Sequence, residues 1–342
     1  MPIKTENFDY HLPGENIAQT PLEPRDKSRL LVFHKHTGAI EHLEFRMIGN
    51  FIREGDILVI NQTRVLHARL FARKIPSGGK IELLLLKKLD KHHWEVIIGG
   101  NGMRANKRFM FDNGITGVVK EEKKGSERIV AFDTPIDSHL ESMGHIPLPP
   151  YIHTALDNPE RYQTVFAKEL GSAAAPTAGL HFTSELLDRL RLSGVKIATV
   201  TLHVGLDTFL PVTEEFPIDH RIHQEWCHVP EETVNLINEA RQVGNRVFAV
   251  GTTSIRTLES AASKSGRVKV MNTYSGNTSL YILPGYRFKV IDAVITNFHL
   301  PKSTLIMLIS SLTGREKLLA VYNLAIRNHY RFYSFGDAMM II

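Results

Sequence analysis

Residues 247–259 read Val-Phe-Ala-Val-Gly-Thr-Thr-Ser-Ile-Arg-Thr-Leu-Glu: an apolar run, a small polar turn and the start of an amphipathic segment. This order predicts a buried strand that passes directly into a helix. The alternation continues around this stretch, with predicted strands at 57–60, 197–203, 246–250 and 290–296 and predicted helices at 184–193, 231–243, 254–264, 304–312 and 316–328. Alternating strands and helices are typical of an α/β domain with a mainly parallel or mixed sheet.

Residues 65–135 have a different pattern. Short β-type runs alternate there with turn clusters rich in Gly, Asn, Asp and Ser, and the runs are 65–72, 81–86, 94–98, 108–111, 115–119 and 128–132. Closely spaced strands without a helical period predict a small antiparallel barrel. We therefore expect a mixed-sheet α/β core domain, residues 1–62 and 145–342, into which a basic β-barrel domain, residues 63–144, is inserted.

Positive charge is concentrated in the predicted barrel. The whole chain has 41 Lys and Arg against 36 Asp and Glu, a net charge of +5. Residues 61–130 hold 15 Lys and Arg and 7 Asp and Glu, or +8, which leaves 26 and 29, or −3, for the rest. A local basic field of this kind attracts a polyanion such as RNA. A solvated basic surface without a partner is the alternative.

Composition narrows the class of protein further. Hydrophobic residues make up 43% and charged residues 23% of the 342 residues, which argues against a fibrous or wholly disordered protein. Cys227 is the only cysteine, so the chain has no internal disulfide and no cysteine-rich zinc site, and a cytoplasmic location is expected. The N-terminal residues lack an apolar signal region, and no run of about 18 uncharged apolar residues predicts a membrane span.

The turn formed by Gly251, Thr252, Thr253 and Ser254 is the first candidate binding site. Free backbone N–H groups at a helix start, together with three hydroxyl groups, suit an anionic oxygen of a carboxylate or phosphate. Arg256 would add a bidentate contact to such a group. Ordinary helix capping by a threonine or serine is the alternative.

Histidines supply the candidate acid/base groups. His181 closes a loop of small residues, 171–183, that lets a ligand approach the backbone closely. His203 and His299 each lie at or just beyond a predicted strand end, where α/β folds collect their sites. The small-residue loop favours a functional role for His181, whereas a structural role in a core or loop would suit His203 and His299 equally well. Asp219–Glu225 contains two histidines and two carboxylates, but a preceding proline and the lack of a third histidine argue against a metal site.

Common α/β enzyme signatures are missing from the sequence. It has no G-x-G-x-x-G dinucleotide fingerprint, no G-x-x-x-x-G-K-[ST] phosphate loop and no G-x-S-x-G nucleophile elbow. The commonest classes of α/β enzyme are therefore disfavoured.

Longer stretches carry a more specific signal. They are residues 8–32, 55–70, 144–152, 161–183, 201–212, 249–262, 290–312 and 330–339, among them GDILVINQTRVLHARL, GSAAAPTAGLHFT and AVGTTSIRTLESAA. In content and order these stretches resemble the S-adenosylmethionine:tRNA ribosyltransferase-isomerase family of queuosine biosynthesis, nearly from end to end. The resemblance implies an α/β core with an inserted β-barrel, in agreement with the pattern of strands and helices.

The resemblance also implies a transferase and isomerase reaction in tRNA modification. The ribosyl part of S-adenosylmethionine would move onto 7-aminomethyl-7-deazaguanine at the wobble position, giving epoxyqueuosine-tRNA, adenine and methionine. S-adenosylmethionine would be a consumed co-substrate, with no other cofactor and no metal. The partners would be that co-substrate and the tRNA anticodon arm, and we expect a monomer. A tRNA methyltransferase that uses S-adenosylmethionine and a non-catalytic RNA-binding protein are the alternatives.

The resemblance and the local patterns together assign candidate residues to this reaction. We expect His181 or His299 to do the acid/base work, with His203 in reserve. The residues expected to bind S-adenosylmethionine are Gly179, Gly251, Thr252, Thr253, Ser254, Arg256 and Asn297, with the turn and Arg256 holding the methionine carboxylate. The residues expected to contact tRNA are Arg64, Arg69, Arg73 and Lys74.

Overall fold

The structure, a computed structural model, describes residues 2–205, 208, 210–264 and 271–342. Contacts between residues divide the chain into two units. The core unit consists of Met1–Arg64, Pro149–Glu169 and Ala175–Ile342, and the barrel unit consists of Val65–Leu148 and Leu170–Ala174. The sequence predicts an insertion at 63–144, a few residues from these limits, and does not predict the short return segment 170–174.

The helices and strands have the following bounds. The strands are β1 (Arg29–Phe33), β2 (Ile40–Glu44), β3 (Ile57–Asn61), β4 (Thr63–Val65), β5 (Arg69–Ile75), β6 (Lys80–Lys88), β7 (His93–Gly99), β8 (Arg108–Met110), β9 (Thr116–Glu122), β10 (Glu127–Phe132), β11 (Gly144–His145), β12 (Glu169–Ser172), β13 (Lys196–Leu202), β14 (Glu225–Val229), β15 (Val247–Val250), β16 (Tyr274–Thr278), β17 (Ala293–Asn297) and β18 (Ala338–Ile341). The α-helices are α1 (Leu140–Met143), α2 (Ser184–Leu192), α3 (Glu231–Gln242), α4 (Gly251–Lys264), α5 (Thr304–Thr313) and α6 (Arg315–Arg327).

Most of the core unit is built around one mixed sheet. In the described residues this sheet has nine strands in the order β16-β14-β13-β3-β15-β17-β18-β1-β2. The central strands β13, β3, β15 and β17 run parallel to one another. The next strands outward, β14 and β18, run antiparallel to their central neighbours. The mixed α/β core that the sequence predicts is therefore confirmed.

Alternating side chains of the central strands enter two hydrophobic layers. In β3, Ile57 and Val59 pack into one layer, which contains residues of α3 to α6, whereas Leu58 and Ile60 pack into the other, with residues of α2. Each of these side chains is at most 2% exposed. Full burial of one aliphatic side chain contributes about 1.5–3 kcal/mol, so this double-sided pattern strongly favours a sheet covered on both faces.

The barrel unit contains the predicted antiparallel barrel. Among its described strands, the order is β5-β6-β7-β10-β9-β8, and a pairing of β5 with β8 closes the circle. Its interior is filled by alternate residues such as Leu83, Val96 and Phe109. Gly117 is required by this packing, because a Cβ atom there would lie 2.3 Å from the Phe109 ring. The barrel prediction is confirmed.

The main errors of the sequence reading concern strands near the sheet edges and one helix start. The sequence pattern does not predict β1 and β18, although each is an apolar run as long as those of β3 and β15, because β1 precedes and β18 follows the stretch in which strands and helices are predicted to alternate. Helix α4 begins at Gly251, three residues before the predicted start, because this glycine turns the chain directly out of β15. None of the described helices has both the length and the apolarity of a membrane span.

Candidate active site

A cleft lies at the C-terminal edge of the parallel strands in the core unit. Residues that follow β13 and β15, and those at the end of β17 and just beyond it, line the cleft together with the loop 175–178 and residues 333–334 before β18. Its empty space, including the open mouth, is about 520 Å³. Ligand sites of open α/β sheets occur at this edge, where the connections leave the strand ends. The cleft is therefore the candidate active site.

The N-terminal end of α4 forms one wall of the cleft. Gly251, at φ +82°, begins the helix, and Gly251, Thr252 and Thr253 line the cleft. The first N–H groups of a helix have no partner within it. Thr253 is 9% exposed, and its hydroxyl group is buried without a hydrogen-bond partner among the described residues. This wall therefore offers unpaired donors at the positive end of a helix, as an anion site requires.

The protein itself uses two of the predicted anion ligands. The Ser254 hydroxyl donates to the carbonyl oxygen of Val250 at 2.7 Å. The Arg256 guanidinium forms an ion pair with Glu225 of β14, and Arg256 is only 5% exposed. Neither Ser254 nor Arg256 belongs to the residues that line the cleft. The position of Arg256 therefore gives no support to the predicted contact with a bound carboxylate, because the ion pair already uses its charge.

Glu225 connects this ion pair to the cleft wall. Its Oε1 atom accepts hydrogen bonds from the Gly205 N–H at 2.9 Å and the Thr208 hydroxyl at 3.2 Å, and lies 3.0 Å from His223 Nε2. Burial opposes ionisation of this carboxyl group, but Arg256 and His223 outweigh it and lower the pKa of Glu225 to about 2. Because Thr208 lines the cleft, the buried pair fixes part of the wall.

His181 is enclosed in the core and does not line the cleft. Its Nδ1 atom lies 2.7 Å from the Ser28 hydroxyl, its Nε2 atom lies 3.1 Å from the Asn297 amide nitrogen, and its ring stacks on Phe45. Because the amide nitrogen donates, Nε2 is the acceptor and Nδ1 carries the proton. Burial, together with two nearby arginines, lowers the pKa of His181 to about 3. The imidazole is therefore neutral, and both its nitrogens are in use.

Asn297 ties His181 to the cleft. This residue ends β17, and its amide nitrogen donates both to His181 and to the carbonyl oxygen of Tyr333, each at 3.1 Å. Its amide oxygen accepts from the Thr177 hydroxyl at 3.0 Å. Gly179 belongs to the adjacent segment, where a Cβ atom would lie 2.7 Å from an aromatic ring. Asn297 therefore lines the cleft, whereas Gly179, which was predicted to bind S-adenosylmethionine, does not.

His299 is the predicted acid/base group that faces the cleft. Its Nε2 atom lies 2.8 Å from the Thr296 hydroxyl, and its backbone is held by the hydroxyl groups of Tyr322 and Tyr10. In the part of the chain that the structure describes, Nδ1 has no hydrogen-bond partner. Burial lowers the pKa of His299 to about 3, so the side chain is a neutral imidazole at pH 7.

His203 lies at the end of β13 but does not line the cleft. Its Nδ1 atom is 2.8 Å from the Thr63 hydroxyl, and its ring stacks on Trp226 with centroids 5.3 Å apart. Burial lowers the pKa of His203. These contacts favour a structural role for His203.

The four predicted tRNA contacts have different surroundings. Arg64 belongs to the core unit, where its guanidinium lies 2.6 Å from Glu160. In the barrel unit, Arg69 pairs with Glu82 at 2.9 Å, and Lys74 donates to a loop carbonyl. Arg73 is exposed and makes no ion pair with any described residue. Arg73 is therefore the most available of the four cations.

The histidines of Asp219–Glu225 have carboxylate partners in the protein. His220 pairs with Glu214, and His223 pairs with Glu225. No group of three or more potential metal ligands occurs in the described ranges. The two histidines of this segment therefore contact carboxylates of the protein.

Comparison with known proteins identifies the family of this chain. A family model described as "Queuosine biosynthesis protein" matches residues 5–341. The chain belongs to this family. Two relatives, from Symbiobacterium thermophilum and Halothermothrix orenii, are 51% and 50% identical to this chain, and the matches cover 99% of this chain and 100% of each relative. Both are named S-adenosylmethionine:tRNA ribosyltransferase-isomerase. The family resemblance found in the sequence is confirmed.

A crystal structure also resembles this chain. The S-adenosylmethionine tRNA ribosyltransferase of Thermotoga maritima is 36% identical, with a TM-score of 0.58 over 98% of this chain and 100% of that chain. The shared fold agrees with the mixed sheet and the barrel described above.

Sequence reasoning missed the polar residues that orient the predicted groups. Thr296 and Thr177 lie inside stretches that carry the family resemblance, so a hydroxyl near each histidine was visible there. Ser28 gave no such signal, because 153 residues separate it from His181. Only the tertiary structure brings these two residues together.

Proposed function

We propose that this protein is an S-adenosylmethionine:tRNA ribosyltransferase-isomerase. It transfers and isomerises the ribosyl part of S-adenosylmethionine onto 7-aminomethyl-7-deazaguanine at the wobble position of tRNA, and the products are epoxyqueuosine-tRNA, adenine and methionine. The names of its full-length relatives at about 50% identity support this reaction class. S-adenosylmethionine is a consumed co-substrate, and the proposal includes no resident cofactor or metal. A monomeric, cytoplasmic protein stays our expectation from the sequence.

One juxtaposition carries the proposal: the donor-rich end of α4 and the imidazole of His299 line the same cleft. We assign the methionine carboxylate to the N–H groups of Gly251 to Thr253 and to the buried Thr253 hydroxyl. A carboxylate there satisfies the unpartnered hydroxyl and gains from the positive end of the helix. The sulfonium and the ribose then occupy the cleft that His299 lines. Arg256 acts indirectly, through the Glu225 carboxylate that holds the wall.

The reaction requires proton transfer at defined atoms. The sulfonium acidifies the adjacent ribose carbon, so a base removes a proton there, and ring opening expels adenine with its bonding electrons. The leaving adenine takes up a proton. The neutral amine of the modified base attacks the sugar, and closure of the epoxide displaces methionine from carbon.

We propose His299 as the base. Burial keeps the imidazole neutral in the resting enzyme, so one ring nitrogen has a lone pair that accepts a proton. A pKa near 3 makes it a weak base there, so proton transfer requires that the bound substrate raise this pKa towards the working pH. The assignment has the Nε2–H group donate to the Thr296 hydroxyl, 2.8 Å away, so that Nδ1 is the accepting atom. His181 is neutral as well, but both its nitrogens are already hydrogen bonded. We therefore assign His181 to positioning of Asn297.

The experiment compares His299→Gln with His181→Gln, using hypomodified tRNA and S-adenosylmethionine. Adenine release is measured by chromatography, and S-adenosylmethionine affinity is measured separately by calorimetry. We expect His299→Gln to lower kcat by about 10²- to 10⁴-fold with little change in affinity. Adenine release at the wild-type rate would refute the role of His299. A wild-type enzyme that forms S-adenosylhomocysteine would be a methyltransferase, and binding without turnover would indicate a passive RNA-binding protein.

A further inference from the structure

The outer surface of β5 and β8 carries exposed apolar side chains among arginines. Along β5, Leu70 and Ala72 point into the barrel, whereas Phe71, Arg73 and Ile75 are exposed. On β8, Phe109 points inward and its neighbours on either side are exposed. Phe71 is 53% exposed, an unusual position for a large aromatic ring in a folded protein.

The strand register brings these residues onto one surface. Arg73 pairs in register with Met110 of β8 on one side and with Lys80 of β6 on the other, and Ile75 pairs with Arg108. Directly opposed residues of antiparallel strands point to the same face of a sheet. We call this surface the Phe71 face, and it consists of Phe71, Arg73, Ile75, Lys80, Arg108 and Met110.

The charge of the Phe71 face is almost entirely positive. Arg73, Lys80 and Arg108 are exposed, and none of them forms an ion pair with a described residue. The nearest carboxylate in register is Glu82, opposite Phe71, and its charge is paired with Arg69 at 2.9 Å. A surface that binds an apolar patch of another protein would not need three unpaired cations around an aromatic ring. This combination suits a polyanion that also has flat rings.

The ring of Phe71 is held at its edge. His145, which lies on β11 next to β5, packs against it with ring centroids 5.3 Å apart and an interplanar angle of 63°. An edge contact of this kind fixes a ring while leaving a π-face available. Phe71 therefore resembles a preformed stacking platform.

We propose that the Phe71 face binds unpaired nucleotides of the tRNA substrate, with a base stacked on Phe71 and phosphates held by Arg73, Lys80 and Arg108. This inference rests on the proposed function, since it assigns a site to the tRNA that the enzyme modifies. Single-stranded RNA is recognised through bases stacked on aromatic side chains and phosphates bound by cations. A duplex would hide its base faces, so the partner is a loop or an unpaired end.

The test compares Phe71→Ala with Phe71→Tyr, which keeps the ring. Affinity for unmodified tRNA and for its anticodon stem-loop is measured by fluorescence anisotropy at fixed salt, and S-adenosylmethionine affinity is measured by calorimetry. We expect Phe71→Ala to weaken tRNA binding by about 5- to 100-fold, as for loss of one stacked base, whereas Phe71→Tyr stays within about 3-fold of the wild type. Leu89→Ala, at another exposed apolar residue of the barrel unit, is the matched control and should leave tRNA affinity unchanged.

Arg73→Gln and Arg108→Gln test the ionic part. Each should reduce the slope of log affinity against log salt concentration by about 0.7, the value for one phosphate contact on a single strand. Unchanged tRNA affinity in Phe71→Ala, or an equal loss in Phe71→Tyr, would overturn the stacking role. A Phe71→Ala variant with altered self-association and normal tRNA affinity would instead mark an interface between copies. All of these measurements compare the tRNA affinity of variants, whereas the proposed function is tested by adenine release from the wild type. Failure of the Phe71 face as a binding site is therefore distinguishable from failure of the proposed function.

Discussion

Replacement of Thr253 by valine tests whether this residue binds the substrate or only supports the fold. The hydroxyl group is buried and has no hydrogen-bond partner among the described residues, so it destabilises the protein when no ligand is bound. Valine has nearly the same shape and lacks the hydroxyl group. We expect Thr253→Val to raise the free energy of unfolding of the ligand-free protein by about 1 kcal/mol or more, since a buried unsatisfied polar group costs about 1–3 kcal/mol.

The same substitution should weaken the binding of S-adenosylmethionine. A hydrogen bond to a charged group contributes about 1.5–3 kcal/mol, so we expect affinity to fall by about 10- to 150-fold. The distinctive result is a gain in stability together with a loss of S-adenosylmethionine affinity. Replacement of a threonine with a purely structural role would instead lower stability and leave affinity nearly unchanged. Urea unfolding measures the first effect, and calorimetry measures the second.

Two controls make this experiment specific to the carboxylate. Methylthioadenosine, which lacks the amino-acid part, should bind Thr253→Val and the wild type equally. Thr257→Val removes a buried hydroxyl group one turn further along α4, which donates to the carbonyl oxygen of Thr253 at 2.9 Å. We expect this control to lose about 0.5–1.5 kcal/mol of stability and to bind normally. Equal losses of affinity for both ligands in Thr253→Val would refute the carboxylate assignment.

Further predictions concern the buried charges and the neutral histidines. Arg256→Met leaves the Glu225 carboxylate buried with His223 as its remaining ionisable neighbour, so urea unfolding should show a loss at the lower end of about 3–5 kcal/mol. Arg256→Met/Glu225→Leu removes the buried charge and should recover part of this loss, since Gly205 and Thr208 then lose their acceptor; a double variant as unstable as the single one would contradict this reasoning. His181 has a pKa near 3 when folded against about 6.5 when unfolded, so the unfolded chain takes up a proton first as the pH falls. Stability should therefore decrease below pH 6.5, by about 2 kcal/mol between pH 7 and pH 5 from this group, and the loss should be smaller by that amount in His181→Gln. Stability curves of equal slope for the two proteins would show that His181 is not held neutral.

The sequence was most informative where structure is local. The continuous apolar run of β3, and the glycine between β15 and α4, are enough to predict a buried strand and a strand-to-helix turn. Short β-type runs with close-set turns and no helical period likewise predicted the barrel strands. The strands β1 and β18 were missed, although they are as apolar as β3 and β15, because neither lies within the alternation of strands and helices that indicated the other core strands.

The sequence by itself determined the α/β core, the inserted barrel, the family and the position of the α4 turn, because each of these depends on neighbours in the chain or on long motifs. It left His181 and His299 as equal candidates for the acid/base work, with His203 in reserve. Only the tertiary structure decided that His299 lines the cleft, that His181 is enclosed by groups 116 and 153 residues away, and that Arg256 is paired with Glu225. The physical reason is that burial and hydrogen-bond partners are set by distant segments, so the availability of a charge or an imidazole has no local signature.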